Sequence, residues 1–217
     1  MTDKYEFTGE TKVVLGITLR QIRALIAIPL FGVSVGDVGG WIEKEENLSQ
    51  ASDSAWISGD AWISGNAWIS GHAQISGNAW ISGNAQISGH AWISGNAQIS
   101  GNARISGNAR IYGHARIYGH AQISGNAWIS GDAWIYGDAR IYKVNVESTR
   151  TDGYTFTVAP TPNGPRVIAG CRYLTFKEAK AHWKASRGGT KLGDETMSIL
   201  KHLETMAKIN GFMEPVA

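Results

Sequence analysis

The chain has one cysteine, Cys171, in 217 residues. No internal disulfide can form, so nothing in the composition points to an oxidising compartment. Cys171 stands at the end of an expected strand with no base in view, and it reads as a core thiol rather than a nucleophile. Charge of one sign is lacking as well. A formal net charge of +2 is too mild to announce a nucleic-acid binder. Long hydrophobic runs are missing. The apolar stretch Ile22 to Val33 contains Arg23 and Pro29, and it is too short to span a membrane and too far from Met1 for a usual signal peptide. The expectation is a soluble cytoplasmic protein without membrane contact. Proline is scarce at five residues, whereas glycine and tryptophan, at 27 and nine, are plentiful. That bias leads to the pattern in the middle of the chain.

From Ala55 to Tyr142 the sequence repeats every six residues as Ala-x-Ile-Ser/Tyr-Gly-Asn/His/Asp. Ala occupies all 15 first positions, Ile all 15 third positions and Gly all 14 fifth positions. Ala and Ile are two apart, so in an extended segment they point to one side while x and Ser/Tyr point to the other. The Gly-Asn/His/Asp pair makes the corner. Asn, Asp and His are the residues that most often tolerate positive φ, so the sixth position is expected to hold the left-handed conformation. Such a unit can coil, three units to a turn, with each strand stacked on the one three units later.

The unit Ile-Ser-Gly-Asn-Ala-Trp resembles the hexapeptide repeat of left-handed parallel β-helices. The resemblance runs over residues 55–142 without insertion, and it implies a mainly β fold whose interior is an Ile and Ala prism. Five coils are expected, about 24 Å tall at the usual strand spacing. Residues 1–54 read as an N-terminal β-rich cap over an otherwise open end. Strands are expected at Lys4 to Phe7 and Lys12 to Ile17, joined by Gly9-Glu10, while "LRQIRALIAI" fits a strand or a short helix. The lead-in "GDVGGWIEKEENLSQ", residues 36–50, resembles the segment before the repeats in uncharacterised hexapeptide-repeat proteins of phages and prophages. Residues 143–217 read as a small α+β module that either caps the prism or binds a partner. It has strands in "GYTFTVAP" and "PRVIAGCRYL", a helix started by the capping box Thr175/Glu178, and a second helix from about Asp194 to Asn210.

Many left-handed β-helices are acyltransferases with a catalytic His beside a substrate loop that interrupts the coils. Here the resemblance covers the scaffold alone, for no loop interrupts residues 55–142. The repeat histidines His72, His90, His114 and His120 all fall at the corner position, with no orienting partner in view. A zinc site would need a third ligand beside His72 and His90, and Asn108 and Asn126 continue that column instead. No Ser-His-Asp set, phosphate loop or carboxylate pair stands out. No catalytic residue, metal or cofactor is therefore assigned. An acyl-CoA-dependent acyltransferase is the alternative reading.

The outward second positions form three vertical ladders. One holds Trp56, Gln74, Trp92, Arg110 and Trp128; the next Trp62, Trp80, Gln98, Arg116 and Trp134; the third Trp68, Gln86, Arg104, Gln122 and Arg140. Seven outward tryptophans mark an interface, or else cover one another as cross-strand pairs. The fourth coil departs from the rest in "GNARIYGHARIYGHAQ", residues 107–122. Arg104, Arg110 and Arg116 replace Trp or Gln, Tyr112 and Tyr118 replace Ser, and His114 and His120 follow. On the first ladder Arg110 lies between Trp92 and Trp128, where guanidinium can stack on indole. Asp132, Tyr136, Asp138, Arg140 and Tyr142 extend the change into the fifth coil. Core Ala and Ile stay constant while this surface varies in concert. The expectation is a non-catalytic β-helical binding or scaffold protein of phage or prophage type, in the host cytoplasm, assembled with itself as a trimer. Its binding residues are Arg104, Arg110, Tyr112, His114, Arg116, Tyr118, His120, Trp128, Trp134 and Arg140. Its partner is a host protein or an anionic or aromatic ligand such as a nucleotide or glycan.

Overall fold

The computed structural model describes residues 3–51, 53–137, 139–141, 146–161, 163–170 and 172–212. The expected core thiol Cys171 and the expected surface residues Asp138 and Tyr142 lie outside them. Three longer strands come first: β1 (Tyr5–Val14), β2 (Ile17–Ala24) and β3 (Val38–Ile42). Among the described residues, fifteen two-residue strands follow, β4 to β18, from Trp56–Ile57 to Arg140–Ile141, each made of the outward residue and its Ile. They stack in parallel on three faces, each strand pairing with its counterpart one coil on, as Trp92 with Arg110 and Arg110 with Trp128. All 15 repeat isoleucines are buried, as are the repeat alanines. Each fully buried Ile contributes about 1.5–3 kcal/mol, so this column is the main source of stability. The chain is mainly β, a solenoid of parallel sheets.

The corner differs from the sequence expectation. Every repeat glycine from Gly59 to Gly137 has positive φ, whereas Leu15, outside the coils, is the one non-glycine with positive φ among the described residues. Asn, His and Asp at the sixth position therefore do not hold the left-handed conformation. Glycine adopts it without steric cost, and here a second reason reinforces the first. A Cβ on Gly107 would stand 2.7 Å from the backbone nitrogen of Gly125, one coil on. The sixth residue is left free to bond along the stack. The Asn66 amide N–H donates to the Gly83 carbonyl at 2.8 Å, and its side chain donates to Asn84, which donates to Asn102.

The stack has about six coils rather than five. Trp41 pairs in parallel with Trp62 and Ile42 with Ile63, and Leu48 bridges to Ile69. The 36–50 lead-in is thus itself a coil. It is disguised because Gly40 and Glu46 stand where the repeat has Ala, and because its offset from the next coil is longer than three repeat units. Gly40 is required, since a Cβ would meet Ile57 Cγ2 at 2.5 Å. Buried Asn47 pins this coil down by donating to the carbonyls of Gly65 and Ala67. Two corner N–H groups next to this coil are met by carboxylates: Glu43 accepts from Gly65 N and Asp53 from Gly71 N.

β1 and β2 form an antiparallel hairpin, and β2 pairs with β3, so one solenoid face continues into an eight-stranded sheet. The strands expected at Lys4–Phe7 and Lys12–Ile17 fall mostly in one strand, β1, with an irregularity between Phe7 and Thr11, but the hairpin turns at Leu15-Gly16 so that Ile17 opens β2; "LRQIRA" is strand. Lys4 is fully buried and ion-paired to Asp53 at 2.6 Å. Burial pushes its pKa down, against the pull of the Asp53 hydrogen bond.

At the other end β19 (Val146–Thr149), β20 (Thr155–Ala159), β21 (Arg166–Ala169) and β22 (Arg172–Leu174) make an antiparallel sheet in chain order. Helices α1 (Phe176–Arg187) and α2 (Lys191–Ile209) follow. The capping box at Thr175 and Glu178 is present; α2 begins at Lys191 rather than Asp194 because the Thr190 side chain accepts from Gly193 N. The sheet has two buried faces. Ala159 and Ile168 join the solenoid core, while Phe156, Val158 and Val167 pack with Trp183, Leu200 and Leu203 of the helices. Trp134 N donates to Gly170 O at 3.0 Å, which docks the β21–β22 turn onto the last coil. The C-terminal sheet thus covers that end of the prism.

Two substitutions test these contacts. Gly107→Ala, with a backbone neighbour below van der Waals distance, is expected to cost about 3 kcal/mol or more in urea unfolding. Gly131→Ala, with the same φ sign but nothing within 4 Å of its Cβ, is expected to cost only about 1–2 kcal/mol. Equal losses would mean that the stacking of corners is not the constraint. Asp53→Ala strands the Lys4 ammonium and the Gly71 N–H together, and a loss of about 3 kcal/mol is expected by the same measurement.

Candidate functional site

The ladders stand as the sequence pattern places them. Arg104, Arg110 and Arg116 leave the same coil on three different sheets. Their neighbours decide what each can do. Trp56 is the exception among the seven repeat tryptophans: it points outward but is only 1% exposed. Phe31, Val33 and Val38 of the N-terminal segment line the same recess, and a Cβ on Gly39 would touch its ring. Trp62 and Trp80 are half-buried and stack at 4.8 Å with planes 12° apart. Trp41, one coil earlier, extends that column, and the Lys12 ammonium lies 4.2 Å from its ring. These residues are structural by contact. Trp68, Trp92, Trp128 and Trp134 remain exposed, at 36–49%.

The fourth coil of the repeat, counted from Ala55, is linked to the fifth by aromatic contacts. Arg116 lies over the Trp134 ring at 5.4 Å, which is the guanidinium–indole contact of the belt. Arg110 has Trp92 and Trp128 as its strand partners, and the Tyr112 ring meets Trp128 edge-on at 5.5 Å. Burial pushes the Tyr112 phenol up, reinforced by the Glu147 charge and opposed by Arg110. Trp92, Ser94, Arg110 and Tyr112 enclose an open cleft of about 350 Å³. Tyr118 Oη donates to Gln98 Oε1 at 3.3 Å. Arg104 projects from the third face beside Gln86 and Gln122.

The histidines stand at exposed corners. His114 Nδ1 lies 3.4 Å from Asn96 Nδ2, and the His120 amide N–H donates to Gly137 O. His72 and His90 stack at 4.7 Å, and Asn108 and Asn126 continue their column with a hydrogen bond of 3.1 Å. Among the described residues, no group of three or more His, Cys, Asp or Glu side chains comes together to hold a metal. No helix of the described residues is long and apolar enough to cross a membrane.

Arg140 belongs to a different place. With Tyr136 of the last coil it lines a cavity of about 410 Å³ together with Arg166 and Tyr173 of the C-terminal sheet and Thr161 and Asn163 of the β20–β21 connection. The sequence pattern could not reveal this group, because half of it lies outside the repeat.

Residues 73–89, 97–110, 103–120 and 121–137 match the family model described as YdcK beta solenoid repeat. The chain carries β-solenoid repeats. The matched stretches include the whole Arg–Tyr coil. No curated protein matches the chain.

Because the contacts of the four repeat histidines among the described residues run along the corner columns, Asn should replace them at little cost. The quadruple variant His72→Asn, His90→Asn, His114→Asn and His120→Asn is expected to unfold within about 0.5 kcal/mol of wild type per site. A collapse of the fold would show that His carries a role that Asn cannot fill.

Proposed function

We propose that this protein is a non-catalytic solenoid scaffold that assembles with further copies of itself and binds a partner through the outward Arg–Tyr–Trp surface of its fourth and fifth coils. One observation carries the reading: three exposed tryptophans, Trp92, Trp128 and Trp134, are the strand neighbours of Arg110 and Arg116 on a prism whose inward positions are filled and invariant. Arg, Tyr and Trp are the residue types that anchor protein interfaces. A regular β-solenoid supports this use, because its backbone holds side chains at fixed spacing on a surface that binding does not need to reshape. The open cleft beside Arg110 gives a partner side chain somewhere to enter. The resemblance of the coils to hexapeptide β-helices supports a trimer. That of the 36–50 segment supports a phage or prophage origin, and with it the host cytoplasm and a host protein as partner.

Light scattering on the full chain tests the reading. Wild type is expected at the mass of a trimer. A revertant carrying Arg104→Gln, Arg110→Gln, Arg116→Gln, Tyr112→Ser and Tyr118→Ser is expected to dissociate at concentrations at least about tenfold higher. Its unfolding free energy should fall by only about 1 kcal/mol, since the lost contacts are surface pairs. A monomeric wild type, or assembly unchanged in the revertant, would overturn self-association through this belt.

A further inference from the structure

The cavity between the last coil and the C-terminal sheet has a lining unlike the rest of the surface. Arg140 and Arg166 approach it from the two sides, and among the described residues that line it there is no carboxylate. Arg140 makes no ion pair among the described residues. Arg166 is held by its own loop, its Nη1 donating to the carbonyls of Asn163 at 3.1 Å and Pro165 at 3.3 Å. A guanidinium anchored on one nitrogen is pre-oriented and presents its remaining N–H groups in a fixed plane. Glu178 is held below the usual carboxylate range first by the hydrogen bonds from Thr175 N and Oγ1 that cap α1 and also by the Arg166 charge, and it does not line the cavity. Two guanidinium groups therefore line the space, with no carboxylate among its described lining residues.

The other wall is aromatic. The Tyr136 and Tyr173 rings lie 6.4 Å apart at 54°, and Tyr136 is 51% exposed. Tyr173 is half-buried; burial pushes its phenol up while the Arg166 charge opposes the shift, which fits a guanidinium close to that hydroxyl. Thr161, which also lines the cavity, is buried, and its hydroxyl donates to Gly164 O at 2.6 Å. A volume of about 410 Å³ falls within the range of small-molecule sites.

From this arrangement we propose that the junction is a binding site for a nucleoside phosphate. The phosphate would lie between Arg140 and Arg166, where a guanidinium can bond two phosphate oxygens. The base would lie against Tyr136 and Tyr173, for which an exposed ring face is the natural partner. The site shares only Arg140 with the outward ladders and does not depend on assembly through the belt. It joins two parts of the fold, so an occupied site would tie the C-terminal sheet more firmly to the last coil.

Calorimetric titration of the full chain with AMP, adenosine and inorganic pyrophosphate tests both halves of the site. AMP is expected to bind with a sub-millimolar Kd, and adenosine at least about tenfold more weakly, since it lacks the charge-assisted bonds. Arg140→Gln, on an exposed side chain, is expected to weaken AMP and pyrophosphate about tenfold. Tyr136→Ser is expected to weaken AMP several-fold and to leave pyrophosphate unchanged. Arg166 is left intact because its variant would also loosen the loop it anchors. No AMP binding at up to about 1 mM ligand would overturn the proposal. So would binding within twofold of wild type in both variants, or pyrophosphate binding with no advantage for AMP.

Discussion

The structure depends on a constraint that acts at each corner: the chain must turn with positive φ while the next coil passes directly beneath. A Cβ on most of these glycines would come within about 3 Å of the backbone of the corner glycine one coil on. Only glycine satisfies both conditions, and it does so without any side chain to specify. Once the corners are set, the strand between them has room for two residues with opposite orientations. Ile is carried inward and its neighbour outward, and the Asn or His after each corner is placed to bond along the stack. The buried isoleucines supply the stability, but the corners decide that the isoleucines meet.

That division separates what holds the coil from what the coil displays. An outward residue contributes a cross-strand contact of at most about 1 kcal/mol, so it can change without loss of the fold. Trp62 and Trp80 use this freedom for a stack, Arg116 and Trp134 for a cation–π pair, and Tyr118 for a bond to Gln98. The ends of the solenoid are less free. At the N-terminal end Asn47 meets the Gly65 and Ala67 carbonyls, a role that N–H groups of the preceding coil fill farther along. Glu43 and Asp53 accept from the Gly65 and Gly71 N–H groups, and Asp53 also holds buried Lys4. The last coil is closed by Ala159 and Ile168 from a sheet whose other face is packed with helices. It is at this second closure that Arg140 and Tyr136 meet Arg166 and Tyr173.

The parts of the fold legible in the sequence are those where local pattern and tertiary contact coincide. The period of six, the inward Ala and Ile, the three ladders and the capping box at Thr175 are of this kind. Where pattern and structure part, a distant contact decides. Local preference allows positive φ to Gly and, less readily, to Asn, His and Asp; the glycine takes it because the backbone of the next coil also leaves no space for a Cβ. The first coil is hidden because Gly40 replaces Ala to clear Ile57. The alternation of β1 reads as two strands because the irregularity near Gly9 resembles a turn. The ladder pattern counts Trp56 among the exposed tryptophans, although the N-terminal segment folds over it.

By itself the sequence determined that this chain coils, how far apart its strands lie, and which side chains face in or out, because a six-residue unit repeated without interruption leaves the backbone no other way to bury every Ile. Which of the outward tryptophans remain open was settled only when both ends of the chain folded back onto the stack. The same is true of the cavity: Arg140 and Arg166 lie in segments with different periods, and no local pattern relates them. Docking of the Gly170 turn onto Trp134 brings them together, and a contact between distant segments is the one thing a repeat cannot encode.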